Sequence, residues 1–99
     1  MVKLMWLESA KDDLRSIYEY IALDSKRYAK YQVKQIRDRT SILKDNPKAR
    51  KIVLEYENES VREVICGHHR IIYRIINSNF ILILLIHHGA RICPRIDKE

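Results

Sequence analysis

Hydrophobic and polar positions follow two different periods along the chain. After a short apolar stretch at residues 2–7, "VKLMWL", apolar residues recur every three to four positions through residues 10–23 and again through residues 29–43. This spacing places them on one side of an α-helix. The first half of the chain is therefore predicted to hold one strand followed by two amphipathic helices.

Capping residues mark where these helices are expected to begin and end. Ser9 stands where the first helix needs an N-cap, with Asp12 three residues later as the second half of a capping box. Asp24 or Ser25 is expected to cap the second helix. Pro47 is predicted to end it, because proline disfavours helical geometry in the residue before it.

The second half of the chain changes to short β-branched stretches separated by turn residues. The predicted strands are residues 51–56, 61–66, 69–76 and 80–88. Short turns join consecutive strands, so they should pair antiparallel. We therefore predict one α+β domain over residues 1–99: a two-helix N-terminal hairpin packed on one face of a mainly antiparallel sheet of three to four strands. The other face is expected to be open.

Composition narrows the class of protein further. The chain has 99 residues, with 19 Lys and Arg against 13 Asp and Glu, and its net charge of +6 favours polyanions or acidic proteins as partners. Cys66 and Cys93 do not form a disulfide framework, so free thiols in a reducing cytoplasm are expected. The apolar run at residues 80–86 is too short to span a bilayer, and no membrane partner is predicted.

Arginines recur around the predicted sheet and form the main candidate binding surface. Alternation in the strand at residues 69–76 puts Arg70 and Arg74 on the open face. Guanidinium groups bind phosphate and carboxylate oxygens with two parallel hydrogen bonds. The predicted set for binding a target or partner is Arg62, Arg70, Arg74, Arg91 and Arg95. Ordinary cross-strand pairing with Glu55, Glu57 or Glu63 is the alternative.

Histidines and tyrosines give weaker signals. His87 and His88 are neighbours on a strand and point to opposite faces, so they are not expected to share an ion; no metal site or cofactor is predicted. One of the two could act as a general acid or base, although a strand-end histidine without such a role is the alternative. Tyr28 and Tyr31 are expected to pack beside the helical core, leaving no exposed aromatic surface for stacking on bases.

Five segments in order resemble the RelE/ParE superfamily of toxins from type II toxin–antitoxin modules, also described as plasmid stabilisation proteins. They are "ESAKDDLRSIYEYI", "ILKDNP", "VLEYENESVREV", "GHHRIIYRI" (with His69 where the superfamily usually has Tyr) and "ILILLIHHGAR". The resemblance covers nearly the whole chain. It implies a cytoplasmic inhibitor of growth that a cognate antitoxin neutralises with an acidic, partly disordered segment.

The superfamily divides by target. ParE-like members poison DNA gyrase, whereas RelE-like members cleave mRNA on the ribosome. By resemblance to the RelE type, Arg70 and Arg91 would stabilise the scissile phosphate. The acid and the base that such cleavage needs could then only be His87, His88 or Glu63. The RelE type also uses strand lysines where this chain has Val61 and Glu63, and a C-terminal tyrosine, whereas no tyrosine follows Tyr73 here.

These departures favour ParE-like, gyrase-directed action or an undetermined target. A ribosome-dependent mRNA endonuclease is the alternative, and a non-toxic basic module that keeps only antitoxin binding is a further one.

Overall fold

The computed structural model describes residues 2–46, 51–53 and 60–88, and only the backbone of residues 51, 52 and 88. In chain order the elements are β1 (Lys3–Trp6), α1 (Glu8–Ala22), α2 (Lys26–Ile42), β2 (Lys51–Ile52), β3 (Val61–Cys66), β4 (His69–Asn77) and β5 (Phe80–His88). The α+β fold, with a helical hairpin followed by a largely antiparallel sheet, is confirmed. None of the helices in the described ranges is long and apolar enough to cross a membrane.

The sheet has five strands in the order β1-β5-β4-β3-β2. Strands β2 to β5 pair antiparallel, whereas β1 lies parallel to β5, with Lys3 opposite Phe80 and Trp6 opposite Ile83. The count exceeds the predicted three to four because the first strand joins the edge of the meander. Of the strand predicted at residues 51–56, β2 covers residues 51 and 52, and residues 54–56 lie outside the described ranges. The helical hairpin of α1 and α2 crosses the sheet from β1 at one edge to β2 at the other, and β3 and β4 complete the long connection between the parallel strands β1 and β5.

The start of α1 differs from the prediction. The helix begins at Glu8 and its N-cap is Leu7, whose side chain makes no capping hydrogen bond. The Leu7 backbone N–H still pairs with the carbonyl of Ile83 at 3.0 Å, so the chain passes directly from strand to helix. The prediction that Ser9 caps α1 is wrong, because Ser9 already lies within the first turn. The predicted cap of α2 is confirmed, since the Ser25 hydroxyl accepts a hydrogen bond from the Tyr28 backbone N–H at 3.1 Å.

Two side chains of α1 bind the edge of β5 beyond the point where β1 ends. The Ser9 hydroxyl donates to the Leu84 carbonyl at 2.7 Å. The Asp13 carboxylate accepts from the Ile86 backbone N–H at 2.9 Å. Backbone groups on a strand without a neighbour need other partners, and these contacts satisfy two of them while fixing the position of α1 on the sheet.

The main core lies between the helices and one face of the sheet. Its buried residues are Ala10, Leu14, Ile36, Leu43, Val64, Cys66, Ile71, Tyr73, Ile81, Ile83 and Ile86. His69 also points to this side, as its alternation with Ile71 predicts, and its Nδ1 lies 3.4 Å from Nε2 of the buried Gln32.

The opposite face of the sheet is not open in its centre, so that prediction is wrong. A second buried cluster of Val53, Val61 and Ile72 lies there, with Leu84 and Leu85 packed against it. Ile72 is fully buried. The physical reason is visible in β5, whose apolar residues occupy both faces and leave hydrophobic surface to cover on each.

Candidate functional site

Arg70 and Glu63 form a buried ion pair on the face of the sheet away from the helices. Glu63 on β3 lies opposite Ile72, and Arg70 on β4 lies opposite Ile65, so the two side chains are diagonal neighbours. Arg70 Nε donates to Oε1 of Glu63 at 2.8 Å, and Arg70 Nη2 contacts the same oxygen. The exposed fractions of the two side chains are 7% and 6%.

This pairing determines what Arg70 presents to a ligand. A buried guanidinium whose charge is balanced by a carboxylate has little potential left to attract a phosphate. Of the two interpretations that the sequence left open for Arg70, the contacts match cross-strand pairing with Glu63. A direct role for Arg70 in binding or catalysis remains a prediction.

The two other predicted arginines that the structure describes, Arg62 and Arg74, lie on different faces of the sheet. Arg74 is exposed on the same face as Arg70. Arg62 lies opposite Tyr73, and directly opposed residues share a face, so Arg62 lies on the helix side of the sheet. The structure therefore separates Arg62 from Arg70 and Arg74, and the part that each plays in binding stays a prediction. Arg91, Arg95, Cys93, Glu55 and Glu57 lie outside the described residues.

One histidine lies beside the ion pair. His87 is the register partner of Arg70 across β4 and β5 and is half-buried. His88 is the partner of His69, and only its backbone is described. The described residues contain no group of three or more His, Cys, Asp or Glu side chains arranged to hold a metal ion. Cys66 is a buried free thiol, and burial raises its pKa even though the Arg39 guanidinium acts in the opposite direction.

A groove of about 660 Å³ separates the helical hairpin from the edge strand, and we call it the hairpin groove. Its apolar walls are Leu4 and Trp6 of β1, Leu14 and Tyr18 of α1, and Val33 of α2. Its polar and charged residues are Lys11, Arg15, Arg37, Thr40 and Ser41. Among the described residues, three cations and no carboxylate line it, so the groove combines an apolar surface with positive charge.

Sequence reasoning missed the hairpin groove because its residues come from three separate elements. Their proximity depends on where β1 joins the sheet, which local patterns do not specify. One signal was available: Leu4 and Trp6 alternate with the exposed Lys3 and Met5. That alternation shows which side of the first strand faces the helices.

A second groove of about 660 Å³ lies at the other side of the hairpin, and we call it the tyrosine–histidine groove. It is lined by Ser16, Ile17, Tyr20, Ile21, Tyr28, Gln32, Gly67, His68 and His69. Gly67 makes the β3–β4 turn with a φ of 63°, a left-handed conformation that favours glycine. The buried Gln32 also lines it, so the groove combines apolar and aromatic side chains with a polar amide.

Comparisons with known proteins agree with this architecture. The family model described as "ParE toxin of type II toxin-antitoxin system, parDE" matches residues 4–93. A solved structure, the "Chromosomal ParDE TA system from P. aeruginosa", is similar with a TM-score of 0.75 and 24% sequence identity, over 91% of this chain and 98% of that chain. That structure shares the fold. No curated protein gives a significant match. Because the family match extends over nearly the whole domain, the chain belongs to the ParE toxin family of type II toxin–antitoxin systems.

Proposed function

We propose that the protein is the toxin of a type II toxin–antitoxin module, that it inhibits growth in the cytoplasm by ParE-like, gyrase-directed action, and that a cognate antitoxin neutralises it. The observation that carries this proposal is the family match over residues 4–93. The buried ion pair on the sheet supports the choice of target within that family.

The state of Arg70 argues against the ribosome-dependent nuclease. Cleavage by attack of a 2′-OH requires a base, an acid and positive charge directed at the phosphate. Arg70 is buried and its guanidinium is bound to Glu63. His87 is the described acid or base candidate beside it. A substrate phosphate would have to displace the Glu63 carboxylate from a buried site before Arg70 could bind it, which is unfavourable.

The hairpin groove is the surface that we propose for the antitoxin. Its apolar walls suit the hydrophobic side of an amphipathic segment, and Lys11, Arg15 and Arg37 suit acidic residues on the other side. A disordered acidic segment that folds on binding could cover both. This surface lies on the helix side of the sheet, away from Arg70 and Arg74.

A charge reversal tests that surface. Arg15→Glu together with Arg37→Glu should abolish rescue by the co-expressed antitoxin and leave growth inhibition intact, because the walls would then repel an acidic segment. The matched control is Lys3→Glu with Lys44→Glu, which makes the same change in net charge at exposed positions outside the groove. If the antitoxin restores growth of cells with the Arg15/Arg37 variant as well as it does with the control variant, the hairpin groove is not part of the antitoxin interface.

The target is tested with purified protein in two parallel assays. In the first assay, adding the protein to DNA gyrase should make cleaved DNA accumulate. In the second, adding the protein to translating ribosomes should cause no cleavage of the mRNA in the A site. If the protein cleaves mRNA at specific codons and has no effect on gyrase, the proposal is wrong and the RelE-like nuclease activity is supported.

A further inference from the structure

The helix α2 carries most of the excess charge of the protein. It has six cations, Lys26, Arg27, Lys30, Lys34, Arg37 and Arg39, and one carboxylate, Asp38. Its net charge is therefore +5, against +6 for the whole chain. The helix α1 has four carboxylates and two cations and is net negative. The positive charge is thus concentrated on one helix of the hairpin.

The cations of α2 are arranged in a way that costs helix stability. Lys26, Lys30 and Lys34 follow one another at intervals of four residues, and all three are exposed. Like charges at this spacing destabilise a helix, whereas alternating signs would stabilise it. Asp38 pairs with Lys34 at 2.9 Å and relieves one end of the row. Among the described residues, Arg39 donates to the Ile65 carbonyl instead of joining the row.

Two tyrosines lie among these cations. Tyr28 and Tyr31 are 54% and 55% exposed, so the expectation that they pack beside the core is wrong. Their rings stack with centroids 6.0 Å apart and an interplanar angle of 24°. Arg27 precedes Tyr31 by four residues and Lys34 follows it by three, which makes both of them neighbours of Tyr31 on the helix surface.

The exposed rings adjoin a recess that could take part of a ligand. Tyr28 lines the tyrosine–histidine groove. Gln32, which is 8% exposed, lines the same groove, and its side-chain amide lies 3.4 Å from His69 Nδ1. A side-chain amide offers both a donor and an acceptor, which is the kind of polar group that the edge of a nucleobase requires.

From this arrangement we propose that the outer face of α2, formed by Arg27, Tyr28, Lys30, Tyr31 and Lys34, binds single-stranded nucleic acid. The cations contact phosphates, and the two tyrosine rings stack on bases. From Arg27 to Lys34 the helix rises about 10 Å, which is enough for a few nucleotides. None of these five residues lines the hairpin groove, and the inference does not depend on the proposed function.

The exposed aromatic rings favour a nucleic acid over an acidic polypeptide. Acidic side chains need cations alone, whereas bases gain from an aromatic face whatever their sequence. Duplex DNA would engage the cations but keeps its bases stacked on one another, so the tyrosines would add nothing to its binding.

The test is a fluorescence anisotropy titration of a labelled 12-nucleotide oligothymidylate with the full-length protein. Binding should weaken as the salt concentration rises: the logarithm of the association constant should fall with the logarithm of the salt concentration, with a slope of about −0.7 for each phosphate contact. Tyr28→Leu with Tyr31→Leu removes the rings at constant charge and should weaken binding at least about tenfold. Tyr28→Phe with Tyr31→Phe keeps the rings and should bind within about twofold of the wild type.

Charge is tested with a second matched pair. Arg27→Gln with Lys30→Gln should weaken binding, whereas Lys3→Gln with Lys44→Gln, an equal change in net charge elsewhere, should have a smaller effect. The proposal fails if the oligonucleotide does not bind at tens of micromolar protein or if the leucine variant binds like the phenylalanine variant. It also fails if polyglutamate competes as well as unlabelled oligothymidylate, since the partner would then be an acidic protein.

Discussion

Removing either member of the Arg70–Glu63 pair should destabilise the protein severely. Both side chains are at least 93% buried, and Glu63 accepts from two nitrogens of Arg70. Arg70→Met keeps the length and apolar stem of the side chain but leaves the Glu63 carboxylate buried without its cation. Breaking a buried ion pair in this way costs about 3–5 kcal/mol. A domain of this size has a total stability of about 5–15 kcal/mol, so the loss is a large part of the whole.

Urea unfolding followed by circular dichroism measures this loss, and the double variant separates the pair from its surroundings. Glu63→Leu with Arg70→Met removes both charges of the pair and should be destabilised by less than Arg70→Met alone, because well-packed apolar residues can replace a buried ion pair at little cost. The control is Arg74→Met, the same change at an exposed position of the same strand, which should stay within about 0.5 kcal/mol of the wild type.

One result would refute this reasoning. If Arg70→Met cost less than about 1 kcal/mol, the pair would behave as a solvent-exposed salt bridge. Arg70 would then be available to a phosphate, and the argument against the nuclease would lose its basis.

Three further predictions concern single contacts. Asp13→Ala should lower the free energy of unfolding by about 1.5–3 kcal/mol, because it removes a charged acceptor from the Ile86 backbone N–H. The control is Asp12→Ala at the neighbouring exposed position, which should change the free energy of unfolding little; equal effects of the two variants would contradict the Asp13 contact. Ser25→Ala should cost about 1 kcal/mol through loss of the α2 cap, measured by thermal unfolding, and an unchanged Tm would argue against the cap. In a Cys93→Ser variant, Cys66 should react slowly with an alkylating reagent at pH 8 when the protein is folded and rapidly when it is unfolded in urea. The reason is that burial raises the pKa of the Cys66 thiol and blocks access of the reagent; rapid reaction of the folded protein would contradict the buried position.

The periodic parts of the fold could be predicted from the sequence because local chemistry determines them. The two helices follow from their 3.6-residue repeat, and Ser25 caps α2 through a contact three residues away. Ser9 failed as a cap because the start of α1 depends on the pairing of Leu7 with Ile83, a contact between distant parts of the chain. The prediction of an open sheet face was wrong for a related reason, because the residues that pack against Ile72 come from distant parts of the chain.

The candidate site was less predictable because it depends on register. Alternation correctly placed Arg70 and Arg74 together, but Arg62 falls on the other face because it lies opposite Tyr73. A shift of one residue would have reversed that outcome. Tyr28 and Tyr31 follow the helical period closely enough to suggest packing, yet Gln32 and Ile36 face the core in their place.

Growth after induced expression without an antitoxin tests the central claim, that the protein is a toxin, most directly. Cells carrying the intact gene should stop dividing, cells carrying a frameshifted copy should grow normally, and co-expression of a neighbouring acidic antitoxin should restore growth. Normal growth with a high yield of folded protein from the intact gene would contradict the account and support a non-toxic module that keeps only antitoxin binding.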